Sequence, residues 1–116
     1  MKENVVKSKS YAFAIRVVKL YKYLIEQKKE FVLSKQFLRS GTAIGALIRE
    51  AEQAESKADF IHKLCIALKE ANETDYWISL LKDSEFLTQP EFDSISIDAQ
   101  ELINLLVSII KSSKTK

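Results

Sequence analysis

Hydrophobic residues recur along this chain with the spacing of helices. Phe13, Val17, Leu20 and Leu24 follow one another at intervals of four, three and four residues, which places them on one side of an α-helix. The same kind of spacing continues along the rest of the chain. It predicts four helices, at about residues 10–28, 34–55, 57–84 and 89–112.

Capping signals and short connections support this division. Ser56 with Asp59, and Thr88 with Glu91, have the three-residue offset of a capping box, and Pro90 is tolerated in the first turn of a helix. Short links make successive helices antiparallel neighbours. With only two Gly and one Pro, the chain also lacks the turn residues of a many-stranded fold. We predict an all-α, antiparallel up-down-up-down four-helix bundle, formed by a single domain over residues 1–116.

Charge is unevenly distributed along the chain. The net charge is +2, but residues 1–29 carry +6, residues 30–110 carry −7 and residues 111–116 carry +3. Basic ends that flank an acidic middle suggest an anionic partner. The single cysteine, Cys65, cannot form an internal disulfide, and no apolar run is long enough to span a membrane. We therefore expect a cytoplasmic protein that has no membrane partner.

Metal and catalytic sites are not predicted. A di-iron bundle requires Glu-x-x-His motifs on two helices, whereas His62 is the only histidine. No nucleophile, metal-ligand set or phosphate loop accompanies the carboxylates of Glu70 and Glu73. We expect no enzymatic activity, no cofactor and no metal.

Four charged residues lie at the edges of apolar stripes, where an unpaired charge would be expensive to bury. They are predicted to form an interhelical polar network and are Arg39, Glu50, Glu70 and Glu73. The specific expectation is that Arg39 pairs with Glu70 or Glu73. A paired-carboxylate catalyst is the alternative for these groups.

Two glycines lie one turn apart inside the second predicted helix. Gly41 and Gly45 each disfavour a helix by about 1 kcal/mol relative to Ala, so something should offset that cost. Close approach of another helix is the expected reason, either within the bundle or between subunits. The G-x-x-x-G pattern is not a membrane motif here, because it lies outside a long apolar segment.

A basic stripe along the first helix is the candidate nucleic-acid surface. It comprises Lys9, Arg16, Lys19 and Lys22, with Tyr23 among them. Cations on one side of a helix can follow a phosphate backbone. A solvated helix face has the same appearance, and the spacing alone leaves both interpretations open.

Two segments carry a family resemblance. One reads LRSGTAIGALIREA over residues 38–51; the other begins with Asp59 and Phe60 and continues as KLCIALKEANETDYW over residues 63–77. They resemble the bacterial four-helix-bundle proteins encoded by intervening sequences in 23S ribosomal RNA genes. That family is in turn similar to the accessory variability determinant of diversity-generating retroelements. Arg49 departs from the pattern, which has a small residue there, and Leu47 replaces a polar one.

The resemblance implies an up-down-up-down bundle that assembles as a homopentamer and has no established enzymatic activity. The resemblance to the retroelement relative implies binding of nucleic acid and a reverse transcriptase through a basic surface, and it places that role on Arg16, Lys19 and Lys22. From the sequence itself, the third helix is apolar on several sides, which predicts self-association.

Two functions therefore compete. The favoured one is a non-catalytic oligomeric module that binds structured RNA, an RNA–protein assembly or a nucleic-acid-processing protein. The alternative is a helical protein–protein adaptor that does not bind nucleic acid.

Overall fold

The residues that the structure describes form four helices arranged as a bundle. The computed structural model describes residues 2–115, and within them there is no β-strand. The helices are α1 Lys2–Glu26, α2 Leu33–Glu52, α3 Lys57–Asp83 and α4 Gln89–Lys114. The predicted all-α class is confirmed. Of the predicted domain at residues 1–116, Met1 and Lys116 lie outside the described residues.

Contacts between neighbouring helices give the topology. Each helix packs against the next one in the chain, and α4 returns to pack against α1. The start of α1 lies beside the end of α2, where Lys7 forms an ion pair with Glu52 at 2.9 Å. Lys63 near the start of α3 likewise reaches Glu50 near the end of α2, at 3.1 Å. Successive helices are thus antiparallel, as expected for an up-down-up-down bundle.

The start of α1 differs most from the prediction. The helix begins at Lys2 rather than near residue 10, while the other helix boundaries lie within three residues of the predicted positions. The core-facing side continues into this first part through Val6 and Ser10, both almost fully buried. Ser10 can be buried because its hydroxyl donates to the Lys7 carbonyl oxygen at 3.0 Å. A polar residue on the buried side concealed the continuation of the stripe.

The core runs the length of the bundle along the predicted stripes. In α3, the buried side is made of residues at alternating three- and four-residue intervals: Leu64, Ala67, Ala71, Thr74, Ile78 and Leu81. The Thr74 hydroxyl donates to the Glu70 carbonyl oxygen at 2.7 Å and lies 2.9 Å from the buried Ser40 hydroxyl of α2. This pair of hydroxyls links the two helices through the core without leaving a polar group unsatisfied.

Side-chain caps fix the starts of the last two helices. Thr88 and Glu91 form the complete capping box at the start of α4. Ser56 accepts a hydrogen bond from the Asp59 N–H at 3.0 Å, but the Asp59 carboxylate reaches the N–H of Glu55 instead of that of Ser56. No helix in the described part of the chain has the length and apolar character needed to cross a bilayer.

Candidate binding surfaces

The basic stripe of α1 lies beside acidic residues of α4, which the sequence pattern did not indicate. The Arg16 guanidinium forms an ion pair with Asp98 and donates to the Ser94 hydroxyl at 2.7 Å and the Ser94 carbonyl oxygen at 3.1 Å. Lys9 forms an ion pair with Glu101 at 3.2 Å. Two of the four predicted phosphate-binding cations are therefore already paired within the bundle.

The remaining two cations face solvent. Lys19 and Lys22 are exposed, and neither has an ion-pair partner among the residues that the structure describes. Tyr23 is half-buried, with the Lys28 Nζ atom 5.9 Å from the centre of its ring. The α1 stripe thus divides into a neutralised part beside α4 and a free part toward the end of the helix.

An open groove separates α1 from α4 next to this stripe. It has a volume of about 460 Å³, and α1 contributes Arg16, Lys19, Leu20 and Tyr23 to its wall. The opposite wall comes from the first turns of α4, including Glu91. The structure thereby brings three of the five predicted nucleic-acid residues to one groove and leaves Lys9 and Lys22 outside its lining.

The outward face of α1 is apolar in its middle. Tyr11, Ile15 and Val18 recur at intervals of four and three residues and are exposed, Tyr11 to 56%. Their spacing places them on one line along the helix, away from the buried Phe13 and Val17. This line was not predicted from the sequence, because the buried stripe of α1 already accounted for the apolar side of the helix.

The apolar line on α1 borders a hollow formed with α2. The hollow has a volume of about 260 Å³, and its lining includes Tyr11 and Ala14 of α1 and Thr42, Gly45, Ala46 and Arg49 of α2. The Arg49 guanidinium lies 5.1 Å from the centre of the Tyr11 ring, a cation–π contact. Arg49, one of the two residues that depart from the resembled pattern, therefore lies at one end of this surface.

Most of the apolar side chains of α3 that were expected to remain exposed pack inside the bundle instead. Its flanking residues Ile61, Cys65, Leu68 and Trp77 are half-buried and pack against the core. Tyr76 is the large apolar residue of α3 that remains exposed. Exposed large apolar residues are therefore more numerous on α1 than on α3, the helix from which self-association was predicted.

The predicted polar network is divided into two separate contacts. Arg39 of α2 forms ion pairs with both Glu70, at 3.3 Å, and Glu73 of α3. Glu50 instead accepts from Lys63, more than two turns further along the bundle. Arg39 remains 49% exposed, so the contact is a partly solvated surface network rather than a buried one.

Trp77 completes the Arg39 cluster. Its indole N–H donates to the Glu73 carboxylate at 2.9 Å. This hydrogen bond, followed by the one from Arg39, lowers the pKa of Glu73 from its ordinary value, while the two carboxylates raise the pKa of Arg39. The side chains of the cluster are thus hydrogen-bonded to one another, which is the arrangement of a structural network.

The two glycines of α2 are not equivalent. A Cβ atom at Gly41 would lie 2.8 Å from both Cγ atoms of Val17, which is fully buried on α1. At Gly45, the nearest atom would be the Ser10 carbonyl oxygen at 3.4 Å, an ordinary contact. Close helix packing within the bundle explains Gly41, whereas Gly45 also lines the outer hollow and has room for a methyl group.

Among the described residues, no group of three or more His, Cys, Asp or Glu side chains is placed to hold a metal ion. His62 is exposed on α3.

Residues 2–108 match the family described as 23S rRNA-intervening sequence protein. The chain belongs to this family. It is also similar to a crystal structure of a protein of unknown function from the S23 ribosomal protein family of Bacteroides thetaiotaomicron VPI-5482, with 63% identity and a TM-score of 0.95. That similarity covers 96% of this chain and 99% of the other. Among curated proteins, no relative matches.

Membership in this family confirms the resemblance seen in the two sequence segments. It sets the fold and leaves the activity open, since the related crystal structure is itself described as that of a protein of unknown function. The family name refers to an intervening sequence of 23S ribosomal RNA.

Proposed function

We propose that this protein is a non-catalytic, self-associating binding module that contacts structured RNA or an RNA–protein assembly. The observation that carries the proposal is the division of the exposed α1 surface. Tyr11, Ile15 and Val18 form an apolar line in the middle of the helix, and Lys19 and Lys22 follow without carboxylate partners in the described part of the chain.

Self-association is supported by the apolar line. Three large apolar side chains in register on an exposed helix face, bordered by a hollow in the α1–α2 surface, are typical of an interface. The resemblance to the intervening-sequence family favours five copies. Assembly would repeat a modest basic surface several times, so that weak contacts act together with useful avidity.

RNA binding is supported by the free lysines and by the resemblance to proteins that are encoded within 23S ribosomal RNA genes. Lys19 and Lys22 can each neutralise a phosphate, and the paired Lys9 and Arg16 would contribute less, because their charge is offset by Glu101 and Asp98. Each subunit therefore offers a small patch, and binding depends on the assembly.

The alternative function, a helical adaptor that binds only protein, is favoured by the same two ion pairs, since they neutralise half of the basic stripe. In that case the α1 surface would contact a different protein.

Light scattering at micromolar concentration tests the self-association surface. Ile15→Glu places a charge in the middle of the apolar line and should reduce the particle mass toward that of one chain. The matched control is Ile97→Glu, which changes an exposed isoleucine of α4. A monomeric wild type, or a wild-type mass for Ile15→Glu, would refute the assigned interface.

Fluorescence anisotropy with a labelled RNA hairpin tests the anionic partner. Affinity should fall with increasing salt, and Lys19→Ala/Lys22→Ala should bind more weakly and with a shallower salt slope, by about one unit per lost phosphate contact. The control Lys57→Ala/Lys69→Ala removes equal charge from exposed positions of α3. Absence of RNA binding by the wild type at low salt would favour the adaptor.

A further inference from the structure

The turn between α1 and α2 presents an aromatic residue at one end of the bundle. Phe31 is 59% exposed and the adjacent Val32 is 72% exposed. Lys28, Lys29 and Lys35 surround them in the sequence and are exposed as well. The turn thus combines apolar surface with three cations, and none of the three has an ion-pair partner among the described residues.

The backbone of this turn is fixed from inside by Glu30, whose side chain is buried. Its carboxylate accepts the backbone N–H groups of Ser34 at 2.6 Å, Leu33 at 3.1 Å and Val32 at 3.2 Å. The Ser34 hydroxyl returns a hydrogen bond to the Glu30 carbonyl oxygen at 2.7 Å. Glu30 therefore caps α2 in place of Val32, which has no capping side chain.

The other side of the turn is closed by α1. The Glu30 N–H donates to the Leu24 carbonyl oxygen at 3.0 Å, and Lys29 has a left-handed backbone with φ of 55°. Phe31 is therefore held in an exposed position between two fixed helix ends, and a ligand would not have to order the turn before binding.

The Glu30 contacts also determine where an anion can bind. The N–H groups at the start of α2 are already occupied by a carboxylate, so a phosphate group would have to use the lysines. Because the only acid among residues 28–35 is turned inward, the outer surface of the turn is positively charged.

We propose that this turn is a recognition tip for an unpaired RNA segment, with one base stacked on the Phe31 ring and the flanking phosphates held by Lys28, Lys29 and Lys35. The inference rests on the proposed RNA binding and identifies the part of the RNA that is recognised. Bases inside an A-form duplex are not available for stacking, whereas those of loops and bulges are. Two apolar side chains bury too little surface to anchor the protein on a membrane, which disfavours a lipid partner.

Two labelled RNAs of equal length separate the contributions of bases and phosphates: a hairpin with an unpaired loop and a fully paired duplex. Phe31→Ala should weaken binding of the hairpin by about fivefold or more, since one stacked base contributes about 1–3 kcal/mol. Duplex binding should be unchanged. Phe31→Tyr should retain the affinity for the hairpin, and Phe31→Leu, which is apolar but lacks a ring face, should lose it.

The matched control is Tyr76→Ala, which removes a similarly exposed ring from α3. If the wild type binds neither RNA, the proposed function fails and this inference falls with it. If the wild type binds RNA but Phe31→Ala changes hairpin affinity no more than Tyr76→Ala does, or weakens hairpin and duplex equally, only the recognition tip is refuted. A loss of binding to phosphatidylserine vesicles on Phe31→Ala, with hairpin affinity unchanged, would assign the tip to a membrane surface instead.

Discussion

Gly41 and Gly45 should respond in opposite directions to the same substitution. In Gly41→Ala, the new methyl group would lie 2.8 Å from both Cγ atoms of Val17, closer than a side-chain carbon normally approaches another carbon. Val17 is fully buried, and a β-branched side chain in a helix strongly prefers one rotamer, so it cannot easily turn away. The two helices must therefore separate slightly or Val17 must become strained.

The magnitude follows from two opposing contributions. Overpacking of a core by a methyl group destabilises by about 1–3 kcal/mol. Replacement of a helix-interior glycine by alanine offsets about 1 kcal/mol of this. We expect Gly41→Ala to lose about 1 kcal/mol net. In Gly45→Ala, the methyl group would lie 3.4 Å from the Ser10 carbonyl oxygen and 3.5 Å from the Ser10 hydroxyl, both ordinary contacts, so this variant should instead be stabilised, by up to about 1 kcal/mol.

Urea unfolding at a fixed protein concentration measures both changes, and the fixed concentration is needed because self-association would add to the apparent stability. Val17→Ala alone should lose about 2 kcal/mol or more through its missing methyl groups and the cavity. The double variant Val17→Ala/Gly41→Ala should be about 1 kcal/mol more stable than the sum of the two single changes predicts, because the new methyl group occupies the vacated space. A Gly41→Ala protein as stable as the wild type, or a Gly45→Ala protein equally destabilised, would refute the packing explanation.

Two further predictions concern charged side chains. Arg39→Ala should destabilise by only about 1 kcal/mol in urea unfolding, since the side chain is half-exposed, and a loss of about 3–5 kcal/mol would show that the network behaves as a buried one. Burial alone would raise the pKa of Glu30, but the backbone hydrogen bonds from Ser34, Leu33 and Val32 outweigh it and lower the pKa from its ordinary value of 4.5. A lowered folded-state pKa contributes stability that is present above about pH 4.5 and is lost as the pH falls through the folded-state pKa. Glu30→Gln should therefore flatten the acid side of the stability–pH profile. Parallel profiles for Glu30→Gln and the wild type would contradict this.

Much of the fold could be predicted because apolar spacing and caps are local properties. The buried side of α3, from Leu64 to Leu81, follows the spacing read from the sequence, and Thr88 with Glu91 forms the predicted cap. The start of α1 could not be found in this way, since Ser10 is buried only through a hydrogen bond to its own helix.

The candidate surfaces were harder to predict because they depend on which helices become neighbours. The spacing of Lys9 and Arg16 marks them as outward-facing, yet it does not reveal that Glu101 and Asp98 lie opposite them. Arg39 could be matched to the α3 carboxylates because adjacent antiparallel helices were expected, but its exposure depends on the side-chain conformation. The capping role of Glu30 had a local signal, in its position four residues before Ser34, that a search for Ser, Thr, Asp or Asn caps overlooks.

Sedimentation velocity of the wild-type protein with a labelled hairpin RNA tests self-association and RNA contact together. At low salt, about 50 mM, we expect the label to move in a complex that contains several protein chains. Raising the salt to about 300 mM should release the RNA while the protein remains assembled, because phosphate contacts are screened far more strongly than an apolar interface. RNA that sediments alone at low salt, or a complex that contains one chain, would contradict the proposed oligomeric RNA-binding module.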